Sequence, residues 1–391
     1  MYLVIEIIFW VCVASILHTY FIYPVLLKIV STSKKQNTNI YKPSDALPYV
    51  SIIIAAHNEE TVIEEKINSI YNTTYPYDKF EVHIGSDNST DATNQIIQKH
   101  AKTHSNLHVH AFAERQGKAQ IINSLAQQSK AEILILTDAN VFFEPHTMYE
   151  LIKHYKNQDI ALVGGRIINT NIKKTGISYQ EKTYLDNEIL IKYREGILWG
   201  TMIGAFGGVY SIRKENYHPV PKNYFMDDFY ITMCVIQDGK KAITELNATC
   251  HEDISNIIQE EFKRKVRISI GNFQNLSSFW KLMLNPFSSK GFSFISHKVL
   301  RWITPFLLLL CILCSALLFS KDILYSYLFF IQIGLLLLPI IDVILKSFHI
   351  HNAVLRFFTH FYSMNTALFI GFFRFLKGVE SNVWQPTKRN Q

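Results

Sequence analysis

Four branched apolar residues in succession, Ile133 to Leu136, lead without a spacer into Thr137, Asp138, Ala139 and Asn140. Such a run reads as a strand buried on both faces, the kind found inside a mostly parallel sheet. In an open α/β sheet ligands bind beyond the carboxyl ends of the strands, so Asp138 and Asn140 stand where a substrate would be held. Residues two apart in extended backbone point the same way. Both side chains can therefore offer oxygen to one hard cation such as Mg2+ or Mn2+, which prefers oxygen ligands and bridges to phosphates. The same tetrapeptide also suits a strand-to-helix turn in which Asp and Asn cap a helix.

Apolar residues make up 48% of the 391-residue chain, and they are unevenly spread. Tyr2–Val30 carries only Glu6 and Lys28 and reaches the roughly 20 residues needed to cross a bilayer. It lacks the basic start, short apolar centre and small-residue cleavage site of a signal peptide, and reads as a retained anchor. Lys28, Lys34 and Lys35 follow it, which by the positive-inside tendency puts the next domain in the cytoplasm. Ile303–Phe319 and Ile323–Leu345 read as two further spans. Ala353–Leu376, interrupted by Arg356, His360, Asn365 and Arg374, reads as a polar span or a helix in the membrane interface, and the second arrangement keeps Lys388 and Arg389 inside. The expected organisation is an anchor at 1–30, a globular domain at 48–290, membrane and interfacial helices at 300–378 and a cytoplasmic tail at 379–391, in a multi-pass protein of the cell membrane. The five cysteines, Cys12, Cys234, Cys250, Cys311 and Cys314, show no disulfide or zinc spacing, and Cys311 and Cys314 read as small hydrophobes in a span. The net charge of +7 clusters beside the membrane segments, which favours anionic lipid or phosphate partners and argues against nucleic acid.

Between these regions strands alternate with helices, as in a parallel sheet with helices on its faces. Tyr49–Ala56 is the first strand, and His57, Asn58, Glu59 and Glu60 at its end suit either a nucleotide-binding turn or a helix start. Phe80–Ser86 ends in Asp87, which can accept a hydrogen bond from a base N–H, while Asp91 caps the following helix. His100, His104, His108 and His110 contain one helical pair and otherwise fall in the next strand, Leu107–Phe112, so they read as surface histidines. Gly117 ahead of Lys118 at a helix start offers backbone N–H groups and a cation to a diphosphate, without being a Walker A motif. The glycine-rich stretch Gly204–Arg213, Gly207 included, lets backbone approach a ligand closely. Asp227 and Asp228 are adjacent acids among apolar residues, costly unless they bind something, and one of them is a candidate general base. An N-terminal cap pair is the other reading. Glu260–Gln274 is basic and amphipathic, fit for a diphosphate leaving group or for the interface.

With these motifs in this order, the chain resembles the membrane-bound family 2 glycosyltransferases, the superfamily of the cellulose and hyaluronan synthases, over about Tyr49 to Gln274. The resemblance implies an α/β GT-A fold, a Rossmann-like nucleotide-sugar-binding cytoplasmic domain with N- and C-terminal transmembrane helices. Asp138-Ala139-Asn140 looks like the D-x-D metal motif with Asn for its second acid, so Asp138 and Asn140 would hold Mg2+ or Mn2+. Ala55, His57, Glu59 and Asp87 match positions that hold base and ribose, and Lys118 matches a Gly-Lys contact to the nucleotide. Asp227-Asp228 stands at the family's E-D pair, which makes Asp228 the catalytic base and puts Asp227 and Gly207 on the acceptor side. Arg264 to Ile268 aligns with Q-x-x-R-W. Arg267 is retained, whereas Arg264 and Ile268 replace the Gln and Trp, so Arg264 and Arg267 would meet the donor and Ile268 the acceptor. That Trp helps hold the growing chain in processive synthases, and its absence counts against long-chain processivity. Trp384 to Arg389 looks like the W-x-x-T-x-R tail. The implied activity is inverting transfer from a nucleotide sugar, expected to be a UDP-sugar, to a glycan or lipid-linked acceptor, with membrane lipids and partner subunits as further partners. The rivals are transfer of one sugar to a lipid phosphate carrier, and a membrane scaffold or transporter with an inactive nucleotide-binding domain.

Overall fold

The computed structural model describes residues 2–172, 177–253, 257–379 and 381; the tail motif from Trp384 lies outside them. The chain divides into two units, one formed by residues 1–29, 172–185 and 255–378, the other by 30–171, 186–254 and 379–391.

The second unit is built on one eight-stranded sheet. Its strands are β1 Val50–Ala56, β2 Phe80–Asp87, β3 Leu107–Phe112, β4 Ile133–Thr137, β5 Val141–Phe143, β6 Ile160–Thr170, β7 Val209–Arg213 and β8 Lys241–Asp253. They lie in the order β3-β2-β1-β4-β7-β6-β8-β5. Every residue of β1 and β4 is buried, as expected for central strands covered on both faces. Ile52, Ile54 and Ile135 join Ile63, Ile67 and Ile70 of the helix Ile63–Tyr71 in the core. The first four strands of the order run parallel. The sheet as a whole is mixed, because β7 runs antiparallel to both β4 and β6. The expectation of a parallel sheet fails here for a topological reason. The chain returns from the helix Ser178–Trp199 through the 200–208 loop, Asp138 N–H donates to Gly208 O at 3.2 Å, and β7 therefore starts beside the carboxyl end of β4 and runs back along it. The reversal brings that glycine-rich loop directly to the Asp138 turn.

In the first unit, the helices Tyr2–Ser31 and Ile323–Ser347 are long and apolar enough to cross a membrane. Within the expected span Ile303–Phe319 lies the 14-residue helix Thr304–Leu317, about 21 Å long at 1.5 Å per residue, which is long and apolar enough for a span only together with the helical stretch before it. It follows the stretch Ser289–Trp302 at a bend of 65°. Pro305 explains the break, since it has no N–H to donate to the carbonyl of Arg301 and its ring would clash there. The helix Ala353–Leu376 is not among the helices long and apolar enough for a span, and its Arg356, His360 and Asn365 are buried. Arg356 Nε donates to Asp342 Oδ2 at 2.8 Å, and His360 Nε2 lies 3.0 Å from Glu181 Oε2. All five cysteines are free and buried, with Cys12, Cys311 and Cys314 packed among Phe9, Leu318 and Tyr325 as small apolar groups.

Close approach of helices fixes this unit. A Cβ on Gly371 would fall 2.3 Å from Ser269 Oγ of the helix Ile258–Phe279, whereas one on Gly334 would meet nothing within 4 Å. Gly371→Val should therefore lower the thermal midpoint of the detergent-solubilised protein, at a cost of about 1–3 kcal/mol from overpacking. Gly334→Val should leave the midpoint within a degree or so of the parent, and equal midpoints for the two variants would contradict the packing described.

Candidate active site

Parallel strands align their carboxyl ends, and here that edge gathers the residues after β1, the end of β2 and the turn after β4. Asp87, the last residue of β2, is fully buried. Its Oδ1 accepts from Gln116 N–H at 2.7 Å, and its Oδ2 accepts from Gly117 N–H at 3.0 Å and from Arg115 Nε at 3.2 Å. Both carboxylate oxygens thus hold the turn that presents Lys118. Gly117 in that turn has φ 85°, a left-handed value that favours glycine, and the helix Lys118–Gln128 starts at the lysine itself. His57 and Arg115 belong to the same network. His57 Nδ1 lies 2.8 Å from Asp87 O, and the Arg115 guanidinium contacts the other ring nitrogen.

The turns after β1 and β2 are also tied to each other. Asn58 Oδ1 accepts from Thr90 N–H at 2.8 Å, Glu59 N–H donates to Thr93 Oγ1 at 2.9 Å, and Asp91 accepts from Thr93 N–H at 3.0 Å from one residue ahead of the N-cap, Ala92, rather than as the expected cap of the helix Thr93–Ala101. Ala55 and Glu59 are buried at this edge.

Lys118 reaches into a group of acids. Its Nζ lies 2.7 Å from Asp138 Oδ1 and 3.7 Å from Asp227 Oδ2. Burial works against its charge, but Asp138, Asp227 and Asp228 outweigh that and hold its ammonium well above the usual lysine range. Asp227 and Asp228 open the helix Asp227–Gln237, preceded by Met226 in a left-handed conformation at φ 60°. A non-glycine residue held there marks local strain, of the kind found where neighbouring side chains must be aimed. Thr232 fastens the helix to the glycine-rich loop, donating to Asp228 O at 2.7 Å and accepting from Ala205 N–H at 3.0 Å. The loop then passes so close that a Cβ on Gly207 would lie 3.0 Å from Asp228 Oδ2. Burial and the neighbouring Asp227 push the Asp228 carboxyl up to about 6, against the opposing pull of Lys118 and Lys192.

Several residues that the sequence did not single out complete this arrangement. Lys66, fully buried, donates to Thr137 Oγ1 at 2.8 Å, contacts Val141 O and sits 3.9 Å over the Phe143 ring, so it braces both sides of the Asp138–Asn140 turn. Burial pushes its ammonium down to about 7. Glu252 accepts from Asn140 Nδ2 at 3.0 Å. That bond commits the nitrogen end of the amide and leaves the oxygen end as its acceptor atom. Lys192 lies 3.6 Å over the Phe206 ring. Tyr210 of β7 is buried, and burial with the charges of Asp227, Asp228 and Asp138 holds its phenol far above the ordinary range. The remaining expected site residues, Arg264, Arg267 and Ile268, belong to the first unit. Arg264 there contacts Glu181 and Glu261 at 3.4 and 3.0 Å.

The mixed α/β sheet with its helices is a GT-A-like fold. The fold is shared by the mannosyltransferase PcManGT from Pyrobaculum calidifontis, solved with GDP-Man and Mn2+, at 20% identity and a TM-score of 0.71, covering 95% of this chain and 99% of that one. Residues 51–218 match the Glycosyl transferase family 2 profile, and the chain carries a family 2 glycosyltransferase domain. A 131-residue stretch is 30% identical to the beta-monoglucosyldiacylglycerol synthase of Nostoc sp., covering 33% of this chain and 28% of that enzyme's length. The hyaluronan synthase of Streptococcus pyogenes is 21% identical over 285 residues, 68% of each chain.

Removing the Asp87 carboxylate would take one partner from the Arg115 guanidinium and the acceptor from the backbone N–H groups of Gln116 and Gly117. Asp87→Ala should therefore destabilise the protein by about 2–4 kcal/mol, seen as a lower thermal midpoint of the full chain. An unchanged midpoint would show that the Lys118 turn does not depend on Asp87.

Proposed function

We propose that the protein is an inverting glycosyltransferase that moves a sugar from a nucleotide sugar, taken as a UDP-sugar, to a hydroxyl of a glycan or lipid-linked acceptor at a membrane. The observation that carries this reading is the single ammonium of Lys118 set between Asp138 and Asp227, with Asp228 next in the chain. Three carboxylates gathered around Lys118, with Lys192 also acting on Asp228, offer more oxygen donors than the one ammonium between them engages, which suits a divalent cation at Asp138 and Asn140. Bound there, Mg2+ or Mn2+ would neutralise charge developing on the leaving diphosphate. Lys118 adds a positive charge beside it, from a turn whose backbone N–H groups are already held by Asp87. Ala55, His57 and Glu59 contribute the base-facing edge.

Asp228 is assigned the proton transfer. The acceptor hydroxyl attacks the anomeric carbon from the face opposite the diphosphate, its proton passes to a carboxylate oxygen of Asp228, and the carbon–oxygen bond to the diphosphate breaks. A base tuned to about 6 is ionised at neutral pH yet more basic than an ordinary aspartate. Gly207 and Asp227 flank the acceptor side. Arg264 already meets Glu181 and Glu261, so the cationic contact to the diphosphate is assigned to Lys118 first. The spans hold the enzyme in the cell membrane, and Lys28, Lys34 and Lys35 favour a cytoplasmic catalytic domain.

The test is release of free nucleotide by the full chain in membranes, offered UDP- and GDP-sugars with Mn2+ or Mg2+ and both lipid and oligosaccharide acceptors. One donor should give turnover that Asp138→Ala and Asp228→Asn each reduce by about 100-fold or more. Near-normal turnover by Asp228→Asn would remove Asp228 as base and favour a phosphate acceptor, which needs none. No release with any donor would contradict the enzyme reading. The pH profile gives a second check. Because the base works ionised and its pKa is raised, kcat/KM should fall as pH drops through about 6. Asp227→Asn removes one cause of the rise and should move that acid limb to lower pH. A limb that stays in place would mean Asp227 does not set the basicity of its neighbour.

A further inference from the structure

On the face of the sheet that carries Asp87, a second group of polar side chains lies four residues earlier along β2. Glu81 and His83 alternate onto this face, and parallel pairing sets His83 of β2 opposite His108 of β3, with His110 one step further on. Glu81 Oε1 lies 3.1 Å from His83 Nε2, and Glu81 Oε2 lies 3.7 Å from His108 Nε2. One ligand atom from each of the three falls within 4.8 Å of the others. Ligands at 2.0–2.1 Å around a tetrahedral zinc ion stand about 3.4 Å apart. The approaches of the Glu81 carboxylate to the two imidazoles, one through each oxygen, bracket that length.

His83 is buried, and its Nε2 makes no hydrogen bond among the described residues although it faces the Glu81 carboxylate. Its other nitrogen, Nδ1, lies 3.1 Å from His110 Nε2. If Nδ1 carries the proton and donates it to His110, Nε2 keeps its lone pair, which is the tautomer a metal requires. The carboxylate is oriented as well. Glu81 accepts from Ser51 Oγ and from Tyr49 OH, and Ser51 Oγ in turn accepts from Ser129 Oγ at 2.6 Å. The His108 side chain is 45% exposed and opens a way in from solvent.

We propose that Glu81, His83 and His108 form a divalent transition-metal site of zinc type, with a water as fourth ligand and His110 orienting His83. Two imidazoles and a carboxylate select a borderline cation, in contrast to the oxygen donors at Asp138 and Asn140. β3 is the edge strand of the sheet. A metal bridging β2 to β3 fastens that edge about 13 Å back from Asp87.

The experiment uses the tag-free full chain in detergent carrying Asp138→Ala, which removes the oxygen-ligand site, stripped of metal and titrated with Zn2+ alone. One equivalent should be retained per chain, Zn2+ should raise the thermal midpoint, and Co2+ in its place should give the visible absorption of a tetrahedral centre. Adding His108→Ala, at a surface position that folding tolerates, or Glu81→Gln should weaken Zn2+ binding by at least about ten-fold and abolish the midpoint shift. A parent that retains no Zn2+, or variants that hold it as tightly as the parent, would overturn the assignment.

Discussion

One charge balance governs the proposed catalytic centre. A half-buried lysine faces Asp138, Asp227 and Asp228, which come from two chain segments about ninety residues apart. Without Lys118, three acids at one edge of the sheet would repel one another, and burial would favour their neutral forms. With it, Asp138 and Asp227 share one cation, while Asp228, the most buried of the three, still sits at about 6. The pair of acids at the helix start is thus differentiated by position. Asp227 lies within reach of the lysine and Asp228 lies against the Gly207 backbone.

The fold supplies that balance through ordinary means. Parallel strands deliver Asp87 and Asp138 to the same edge, Asp87 fixes the turn that aims Lys118, and Lys66 braces the Asp138 turn from beneath. The antiparallel return of β7 adds the glycine loop on the remaining side. Each element is placed by core packing of branched residues, and the polar groups are then positioned by hydrogen bonds that the core makes rigid.

Much of this was legible in the sequence because the signals were local. The runs at Val50–Ala56 and Ile133–Thr137 announced buried strands, Gly117-Lys118 announced a helix start with a cation, and Asp227-Asp228 does open a helix. The rest depended on distant pairings that no local pattern encodes. Glu252 meets Asn140 across 112 positions, and Lys66 meets Thr137 across 71. The histidines of β3 read as surface groups until strand register set His108 beside His83. Asp87 was read as a group for a nucleotide base, and its hydrogen bonds to the Arg115–Gly117 turn were a further pairing that the sequence does not encode. Hydropathy marked the apolar run at Ile303–Phe319 but not the 65° bend before Thr304, beside Pro305.

The central claim is that a nucleotide is held through a divalent cation at Asp138 beside Lys118. Calorimetric titration of UDP and GDP into the full chain, with and without Mn2+, tests it apart from turnover and acceptor. The account predicts that one nucleotide binds in the presence of Mn2+, that binding weakens by about ten-fold or more without it, and that Asp138→Ala removes the metal dependence. Binding of equal strength with and without metal, unchanged in Asp138→Ala, would contradict it.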